Sequence, residues 1–349
     1  MTTRERFQAV MQFQPFDRLP LVEWAMWWDV TVARWRTEGL PASFPKSGVQ
    51  VPQDRFLKDR YQIGDYFGHD LYLQDWLVIY GPDCPEPVSH GAGIIKSMDD
   101  YQKVRQHLYP DPSKAVNKEQ WTRWAELQKR GDAVLWYTTE GFFWFARQLL
   151  GIEAHLYAFY DEAELMHQIS TDLLAWQGKC LDAICEYCVP DFMTFAEDMS
   201  YNHGPMLSEE LFDEFMLPYY KQIIPKLNER GIISIIDSDG DVAIAANWFE
   251  RAGLEGILPL ERQAGVDIAE LRKDHPRMRF IGHFDKLTMD RGEAVMRAEF
   301  ERLVPTAAKG GFIVSVDHQT PPAVSYQDYQ LFTALYREYA EEAGRLSRL

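Results

Sequence analysis

Short apolar segments alternate with helical patterns along most of the chain, and this alternation is the feature that most restricts the fold. Such segments have the composition of parallel strands buried on both faces. Helical periodicity between consecutive strands predicts right-handed crossovers and therefore a parallel sheet. The predicted strands are 18–24, 133–140, 191–198, 231–239, 254–261, 278–285 and 311–318.

The length of 349 residues and the number of strands favour a barrel over an open sheet. No G-x-G-x-x-G turn follows an early strand, which argues against a dinucleotide-binding sheet. We therefore predict one domain, residues 1–349, with the (β/α)8 TIM-barrel fold. An N-terminal helix capped by Thr2 or Thr3 precedes it, and region 38–130 is expected to supply extra helices and loops over one mouth. No segment stands out as the eighth strand.

The charge balance restricts the partners. The chain has 53 acidic and 36 basic residues, a formal net charge of −17, which disfavours nucleic acid and anionic membrane surfaces. No apolar run approaches the roughly 20 residues that span a bilayer, and the first residues lack the apolar core of a secretory signal. With four cysteines in a chain of this length, a reduced cytoplasmic protein is expected.

Three cysteines have a spacing that suggests a cofactor. Cys180, Cys185 and Cys188 follow the C-x4-C-x2-C pattern of an iron–sulfur protein. They lie, however, in a helical pattern that starts at a capping-box-like Asp161 and Glu164. We interpret them as small buried apolar residues of this helix and not as cluster ligands.

Nearly every predicted strand ends in an ionisable residue. Any one of them, such as Asp241, is readily explained as a helix cap. A polar residue at so many strand ends instead predicts a site, because the C-terminal ends of barrel strands meet at the face that carries barrel active sites. These residues are Glu23, Glu140, Glu197, Asp198, Asp237, Asp239, Glu261, His283, Asp285, Asp317 and His318.

The aspartates in "IISIIDSDGD" (232–241) do not form an EF-hand calcium loop. Gly240 is two positions before the required glycine, and Trp248 stands where the bidentate glutamate belongs. The segment is therefore better explained as a strand that ends in a site.

Several segments together resemble the uroporphyrinogen decarboxylase superfamily, whose other main branch is the corrinoid-dependent methyltransferases. The resemblance covers nearly the whole chain and implies a (β/α)8 barrel with its site at the C-terminal mouth. The segments are "TTRERFQAVMQFQPFDRLPL" (2–21), "YFGHD" (66–70), "EDMSYNHGPMLSEELFDEFMLPYYKQI" (197–223), "LEGILPLERQAGVDIAELRK" (254–273) and "GGFIVSVDHQTPPAVSYQDY" (310–329).

The two branches differ in the segment after the first predicted strand. Porphyrinogen decarboxylases carry an arginine-rich motif there, which binds the substrate's carboxylates. The equivalent stretch, 22–35, supplies Trp24, Trp27 and Trp28 with the single arginine Arg34. A substrate with many carboxylates would be repelled by a site dense in Asp and Glu, so the resemblance favours the methyltransferase branch.

That branch binds zinc through a His-x-Cys pair and a later Cys, and the matching positions here are Asp237, Asp239 and His318. Two interpretations follow. These three residues hold a metal such as Zn²⁺, with Glu197 or a neighbouring carboxylate completing its ligands. Alternatively the metal is lost, and the same residues perform acid–base chemistry. We predict catalytic roles for Glu197, Asp198, Asp239 and His318.

The expected reaction is methyl transfer between a small O- or N-methyl compound, or a folate, and a corrinoid. Because both thiolate ligands are replaced, a thiol acceptor fits less well than an oxygen or nitrogen substrate. The chain has no Asp-x-His-x-x-Gly signature, so cobalamin would arrive on a separate corrinoid protein. The resemblance is also consistent with a homodimer.

A flat, partly apolar substrate is expected from the aromatic residues beyond the strand ends, although such clusters more often pack in a core. An alternative activity is a decarboxylase or other lyase for a small carboxylic acid, for which Arg147, Arg262 and Arg272 are candidate carboxylate clamps. The predicted substrate-binding residues are Trp24, Trp27, Glu140, Phe143, His203, Glu261 and His283.

Overall fold

The computed structural model describes residues 1–43 and 60–349 of an α/β protein. The chain forms two compact units that alternate along the sequence. The first unit comprises Met1–Leu73, Leu127–Val134 and Ile257–Leu349. The second unit comprises Gln74–Glu126 and Leu135–Gly256.

Among the described residues, seven strands belong to one sheet and two short strands form a separate hairpin. The strands of the sheet are β1 (Leu71–Trp76), β2 (Ala133–Glu140), β3 (Phe192–Ala196), β6 (Ile233–Ser238), β7 (Gly256–Pro259), β8 (Arg279–Phe284) and β9 (Phe312–Val316), and those of the hairpin are β4 (Ser200–Tyr201) and β5 (Gly204–Pro205).

Helices connect and flank these strands. In the described part of the chain they are α1 (Thr3–Met11), α2 (Asp29–Glu38), α3 (Arg60–Tyr66), α4 (Met98–Arg105), α5 (Pro112–Ala115), α6 (Lys118–Arg130), α7 (Phe142–Leu150), α8 (Ile152–Asp161), α9 (Ala163–Cys185), α10 (Glu209–Phe215), α11 (Leu217–Asn228), α12 (Ala245–Ala252), α13 (Ile268–Asp274), α14 (Glu293–Ala307) and α15 (Tyr326–Leu346).

Parallel pairing in the second unit sets the positions of three strand ends. β2 pairs with β3 so that Glu140 lies beside Ala196, and β3 pairs with β6 so that Ala196 lies beside Asp237. Both β2 and β3 are buried along their whole length. The residues that follow Ala196 therefore lie next to Asp237.

The first unit repeats this arrangement with other residues. β8 pairs in parallel with β9, and His283 lies beside Ser315. All of β9 is buried, as expected for a strand covered on both faces. The residues after Val316 thus lie at the end of a buried strand.

The predicted first strand, 18–24, is wrong. Its backbone N–H groups do not pair with a neighbouring strand: that of Leu21 donates to Asp70 Oδ2 at 2.8 Å and that of Trp24 to Ser315 Oγ at 3.3 Å. Pro20 has no N–H to donate. The end of the segment still lies beside β9, because the Trp24 indole N–H donates to the Val316 carbonyl at 2.9 Å.

Strand β1 was not predicted. It lies within 38–130, where helices and loops were expected; of that region, residues 44–59 lie outside the described residues. Its sequence, LYLQDW, is interrupted by Gln74 and Asp75. Asp75 accepts a hydrogen bond from Trp121 Nε1 at 2.7 Å, so this polar residue has a partner that its sequence neighbours do not reveal.

The helix starts were predicted with mixed success. Thr2 caps α1 in a capping box with Glu5, as expected, and the Ser208 side chain caps α10. Helices α10 and α11 are separated at Met216, just before Pro218, because proline cannot donate within a helix. The capping box at Asp161 is wrong, since α9 starts at Ala163 without a side-chain cap.

The cysteines of the suspected iron–sulfur pattern lie on or just after α9. Cys180 is buried on the helix, and burial raises the pKa of its thiol to about 12. Burial also raises the pKa of Cys185. Both thiols therefore favour the protonated form, which is a poor metal ligand.

Among the described helices, none is both long and apolar enough to cross a bilayer.

Candidate functional site

Three carboxylates meet at the ends of β3 and β6 in the second unit. One ligand oxygen from each of Asp198, Asp237 and Asp239 lies within 4.8 Å of the others. The backbone holds them there: the N–H groups of Glu197 and Asp198 donate to the carbonyl of Asp237 at 2.8 and 3.3 Å. We call these three aspartates the carboxylate cluster.

The cluster concentrates negative charge. Burial raises the pKa of Asp237 well above its ordinary value, and the charges of Asp198 and Asp239 raise it further. Asp237 therefore tends to hold a proton when no cation is near. The arrangement suits either of two tasks, binding a cation or holding a proton.

Glu197 points away from the cluster, to the start of α7. Its Oε2 accepts the backbone N–H groups of Phe143 and Trp144 at 3.0 and 3.2 Å, and its Oε1 accepts the Tyr220 hydroxyl. Burial raises the pKa of Glu197 to about 8, against the opposing effect of these hydrogen bonds. The two oxygens thus join the end of β3 to α7 and to α11.

A hairpin borders the loop after β6. Gly240 has φ +81°, and a Cβ there would lie 2.7 Å from the backbone of Tyr201, so glycine is required. Asp241 donates its N–H to the Tyr201 carbonyl, and its side chain accepts the Ala243 N–H at 3.0 Å. Asp241 thus stabilises the turn before α12, but the helix-capping role expected from the sequence is wrong, because the N-cap of α12 is Ile244 and no side chain caps the helix.

A second acidic group lies in the first unit. Glu23 is buried, and it accepts hydrogen bonds from the Tyr329 hydroxyl at 3.0 Å and the Ser315 hydroxyl at 3.4 Å. Burial raises the pKa of Glu23 to about 8. This carboxyl is therefore largely neutral at pH 7.

In the same unit, the residue after β9, Asp317, forms an ion pair with Lys286. Asp317 is buried, and it accepts the backbone N–H groups of Arg262 and Lys286. The Lys286 ammonium lies 3.2 Å from Glu261 and 3.6 Å from Asp317. Burial raises the pKa of Asp317 to about 6, while the Lys286 charge opposes the shift.

His318 lies between two tryptophans of the same unit. Its ring centre is 6.1 Å from that of Trp24, edge to face, and 6.2 Å from that of Trp28. Trp24 is fixed by its indole N–H, which donates to the Val316 carbonyl at 2.9 Å. Of the three predicted metal ligands, Asp237 and Asp239 belong to the second unit and His318 to the first.

Three of the predicted substrate-binding residues have structural contacts instead. Trp27 is buried among Trp35, Phe67 and Tyr329, and Phe143 is buried in the second unit's core. The ring of His283 lies 2.8 Å from the Leu260 carbonyl and accepts the Ile268 N–H, which occupies both of its nitrogens. Of the remaining predicted residues, Glu140 is buried, Glu261 is half-buried and His203 is exposed.

Two of the residues just described were not predicted from the sequence. Tyr220 on α11 binds Glu197, and Lys286 binds Glu261 and Asp317. Lys286 could have been found, because it follows directly the strand-end Asp285. Tyr220 gives no such signal, since its partner is distant in sequence and aromatic residues of helices usually pack in cores.

The sequence matches a known protein family. A family model described as uroporphyrinogen decarboxylase (URO-D) matches residues 128–339, more than half of the chain. The chain belongs to the URO-D family. The matched part includes β2 to β9 and therefore the whole carboxylate cluster, so the cluster is carried by the region that defines URO-D membership.

Solved structures extend the likeness beyond the URO-D match. A methyltransferase from Methanosarcina mazei superposes with a TM-score of 0.65 at 15% identity, over 97% of this chain and 99% of that one. It shows that the two proteins share a fold. A protein described as a vitamin-B12-independent methionine synthase from Listeria monocytogenes gives a TM-score of 0.37 at 13% identity, over 67% of this chain and 70% of that one. No curated protein matches the sequence.

Proposed function

We propose that the protein is a methyltransferase that moves a methyl group between a small O- or N-methyl compound, or a folate, and a separate corrinoid protein. The observation that carries this proposal is the carboxylate cluster of Asp198, Asp237 and Asp239 at the ends of adjacent strands. The fold shared with the Methanosarcina mazei methyltransferase supports it.

The cluster supplies what removal of a methyl group from oxygen or nitrogen requires. The departing heteroatom gains negative charge or a free electron pair as its bond to the methyl carbon breaks, and it must be protonated or bound to a cation. Burial and the charges of its two acidic neighbours raise the pKa of Asp237 well above its ordinary value, which favours its protonated form. It would donate that proton to the leaving atom.

The same residues fit a divalent cation. Three carboxylate oxygens within 4.8 Å of one another resemble the donor set of hard ions such as Mg²⁺ and Mn²⁺, and Zn²⁺ also accepts it. A bound cation would stabilise charge on the leaving heteroatom. It would also relieve the repulsion among the carboxylates. In this proposal Asp198 joins Asp237 and Asp239 as a ligand. His318, which was predicted from the sequence as a ligand, belongs to the first unit and stays a prediction.

We further propose that the sheet closes as a (β/α)8 barrel. The protein would act in the cytoplasm, as a homodimer, with a corrinoid protein as partner.

Metal analysis combined with an activity assay tests the proposal. We expect about one divalent ion per chain in the purified protein, retained in Asp241→Asn but lost from Asp198→Asn and Asp237→Asn. Asp241 is a matched control, because it is the adjacent acid that bonds to Ala243. The assay follows methylation of cob(I)alamin by methoxylated compounds and methyl-tetrahydrofolate. No turnover with any of these donors, in the presence of metal, would reject methyl transfer.

A decarboxylase of small carboxylic acids is the second candidate, favoured by URO-D membership and by one arginine. Of the three predicted carboxylate clamps, Arg272 binds main-chain carbonyls, including that of Met278 at 2.7 Å, and Arg262 binds the Val266 carbonyl. Arg147 instead lines a cavity. Release of CO₂ from a carboxylic acid without any corrinoid would favour this candidate.

A further inference from the structure

A cavity of about 510 Å³ lies in the second unit, between the loop that follows β1 and helix α7. That volume is within the range of small-molecule sites. The loop contributes Tyr80, Pro82, Pro85 and Pro87 to the lining. Nothing in the carboxylate cluster or in the metal proposal accounts for this cavity.

Helix α7 presents one face to it. Its residues are buried except for Trp144, Arg147 and Gln148, which are half-buried and line the cavity. Their spacing of three and four places them on the same side of a helix. Gln148 is held in place by the Tyr80 hydroxyl, which donates to its Oε1 at 2.5 Å.

Arg147 has no carboxylate partner among the described residues. Its guanidinium carbon lies 4.7 Å from the centre of the Trp144 ring, and its Nη1 donates only a long 3.4 Å bond to the Asp198 carbonyl. A half-buried cation without a counter-charge attracts an anion, and a planar guanidinium binds a carboxylate through two parallel hydrogen bonds. Two other ionisable residues of the lining, Glu86 and His90, are exposed.

The remaining lining residues favour a ligand with an aromatic ring. Prolines, Ile94 and Ile152 give the cavity a mostly apolar wall, and the Trp144 ring offers a flat face. An aliphatic acid would fill such a space poorly, whereas an aromatic ring would stack on Trp144 and bury its surface.

We propose that this cavity binds an aromatic carboxylate, with its carboxylate on Arg147 and its ring against Trp144. Within the proposed function, on which this last step rests, an aromatic carboxylate bearing the methyl group is the substrate class. Arg147 bonds to the backbone of Asp198, a member of the carboxylate cluster, so the cavity and the cluster share a residue contact.

The test uses Cys84 as a reporter, because this half-buried thiol lines the cavity. The rate of its alkylation by iodoacetamide is followed by mass spectrometry, with Cys188 on the same chain as the internal standard. Benzoate, 4-methoxybenzoate and 1-naphthoate are compared with their uncharged amides. Isothermal titration calorimetry of the same compounds supplies the affinities.

We expect at least one acid to slow alkylation of Cys84 but not of Cys188, and to bind at least about tenfold more tightly than its amide. Arg147→Gln should remove this preference and Arg147→Lys should retain part of it. Arg123→Gln, an exposed arginine of the same unit paired with Glu119, should leave it unchanged. Equal binding of acids and amides by the wild-type protein would overturn the proposal, as would an acid preference that persists in Arg147→Gln or no protection by any acid.

These measurements need neither metal nor corrinoid, so they separate the two proposals. Binding of an acid at Arg147 without methyl transfer would reject the methyltransferase and keep the site. Methyl transfer from a methoxylated compound with no protection of Cys84 would keep the methyltransferase and reject this site.

Discussion

The backbone N–H of Asp239 donates a hydrogen bond to Oδ1 of Asp198 across 3.2 Å. This bond joins the residues after two adjacent strands, and it fixes one carboxylate of the cluster without any cation. The repulsion within the cluster is therefore present in the folded protein before anything binds. It has a measurable consequence for stability.

Asp237→Asn should stabilise the metal-free protein at pH 8 and have little effect at pH 4. A carboxyl whose pKa is raised in the folded state contributes stability below its unfolded pKa, and that contribution is lost as pH rises through the folded value. Asparagine has no proton to lose, so the Asp237→Asn variant does not lose stability as pH rises. The midpoint of thermal unfolding, measured with a chelator at both pH values, checks this.

Asp241→Asn is the control for that measurement, since Asp241 lies outside the cluster and bonds to the Ala243 N–H. It should show no comparable gain at pH 8. A gain at pH 8 in the control as large as that in Asp237→Asn would show that general charge, and not the cluster, sets the effect.

Glu23→Gln should flatten the pH dependence of stability between about pH 4.5 and 8. Burial raises the pKa of Glu23 from 4.5 to about 8, so stability falls as pH rises through this window. The amide keeps an acceptor for the Tyr329 hydroxyl and carries no charge. Chemical unfolding from pH 4 to 9 measures the slope, and part of it should remain because Glu197 has a similar shift.

The matched control is Glu341→Gln, an exposed carboxyl on α15. The interpretation of Glu23 fails if both variants have the same slope as the wild-type protein.

Gly141→Ala should lower the free energy of unfolding by about 2 kcal/mol or more. A Cβ at this position would lie 1.8 Å from Glu197 Oε2, so the carboxylate must leave the start of α7. Chemical denaturation compares this variant with Gly178→Ala, in the interior of α9. There the nearest atom is the end of the Lys226 side chain at 3.5 Å, and alanine should be stabilising by about 0.5–1 kcal/mol. Equal effects at the two sites would contradict the role assigned to Glu197.

His155→Leu should raise the free energy of unfolding by about 1–2 kcal/mol at pH 7. Both ring nitrogens of His155 are buried without a hydrogen-bond partner in the described residues, and the ring packs 4.5 Å from Phe143. Burial lowers the pKa of His155 in the folded protein to about 3, so below about pH 6.5 the unfolded chain takes up a proton that the folded protein does not, and the wild-type protein loses stability. The gain should therefore grow toward acidic pH.

Calorimetric unfolding at pH 7 and 5 measures this, with His203→Leu as the exposed control. A loss of stability in His155→Leu at both pH values would mean that the imidazole has a partner.

The strands that are covered on both faces were predicted from the sequence. β2, β3, β6, β7, β8 and β9 all fall within predicted segments, because strands covered on both faces are continuous apolar runs. The carboxylate cluster was also anticipated in part, since Asp198, Asp237 and Asp239 were all placed at strand ends. Their proximity follows from parallel pairing, which brings Ala196 beside Asp237.

Segments that depend on distant partners were not predictable in the same way. Residues 18–24 have an apolar composition but direct their N–H groups to Asp70 and Ser315. β1 contains Asp75, whose partner Trp121 is 46 positions away. Likewise, composition could not show that Phe143 packs in the core while its neighbour Trp144 faces a cavity. Such pairings are fixed by tertiary structure, which local patterns do not encode.

The interleaving of the two units along the chain sets an order for folding during synthesis. All of the second unit, 74–126 and 135–256, has emerged from the ribosome well before the chain is finished, whereas the first unit requires 257–349 as well as 1–73. Helix α1 is made long before Gly311, yet the carbonyl of its Val10 accepts the N–H of Gly311. This helix therefore cannot complete its contacts until the start of β9 has been synthesised.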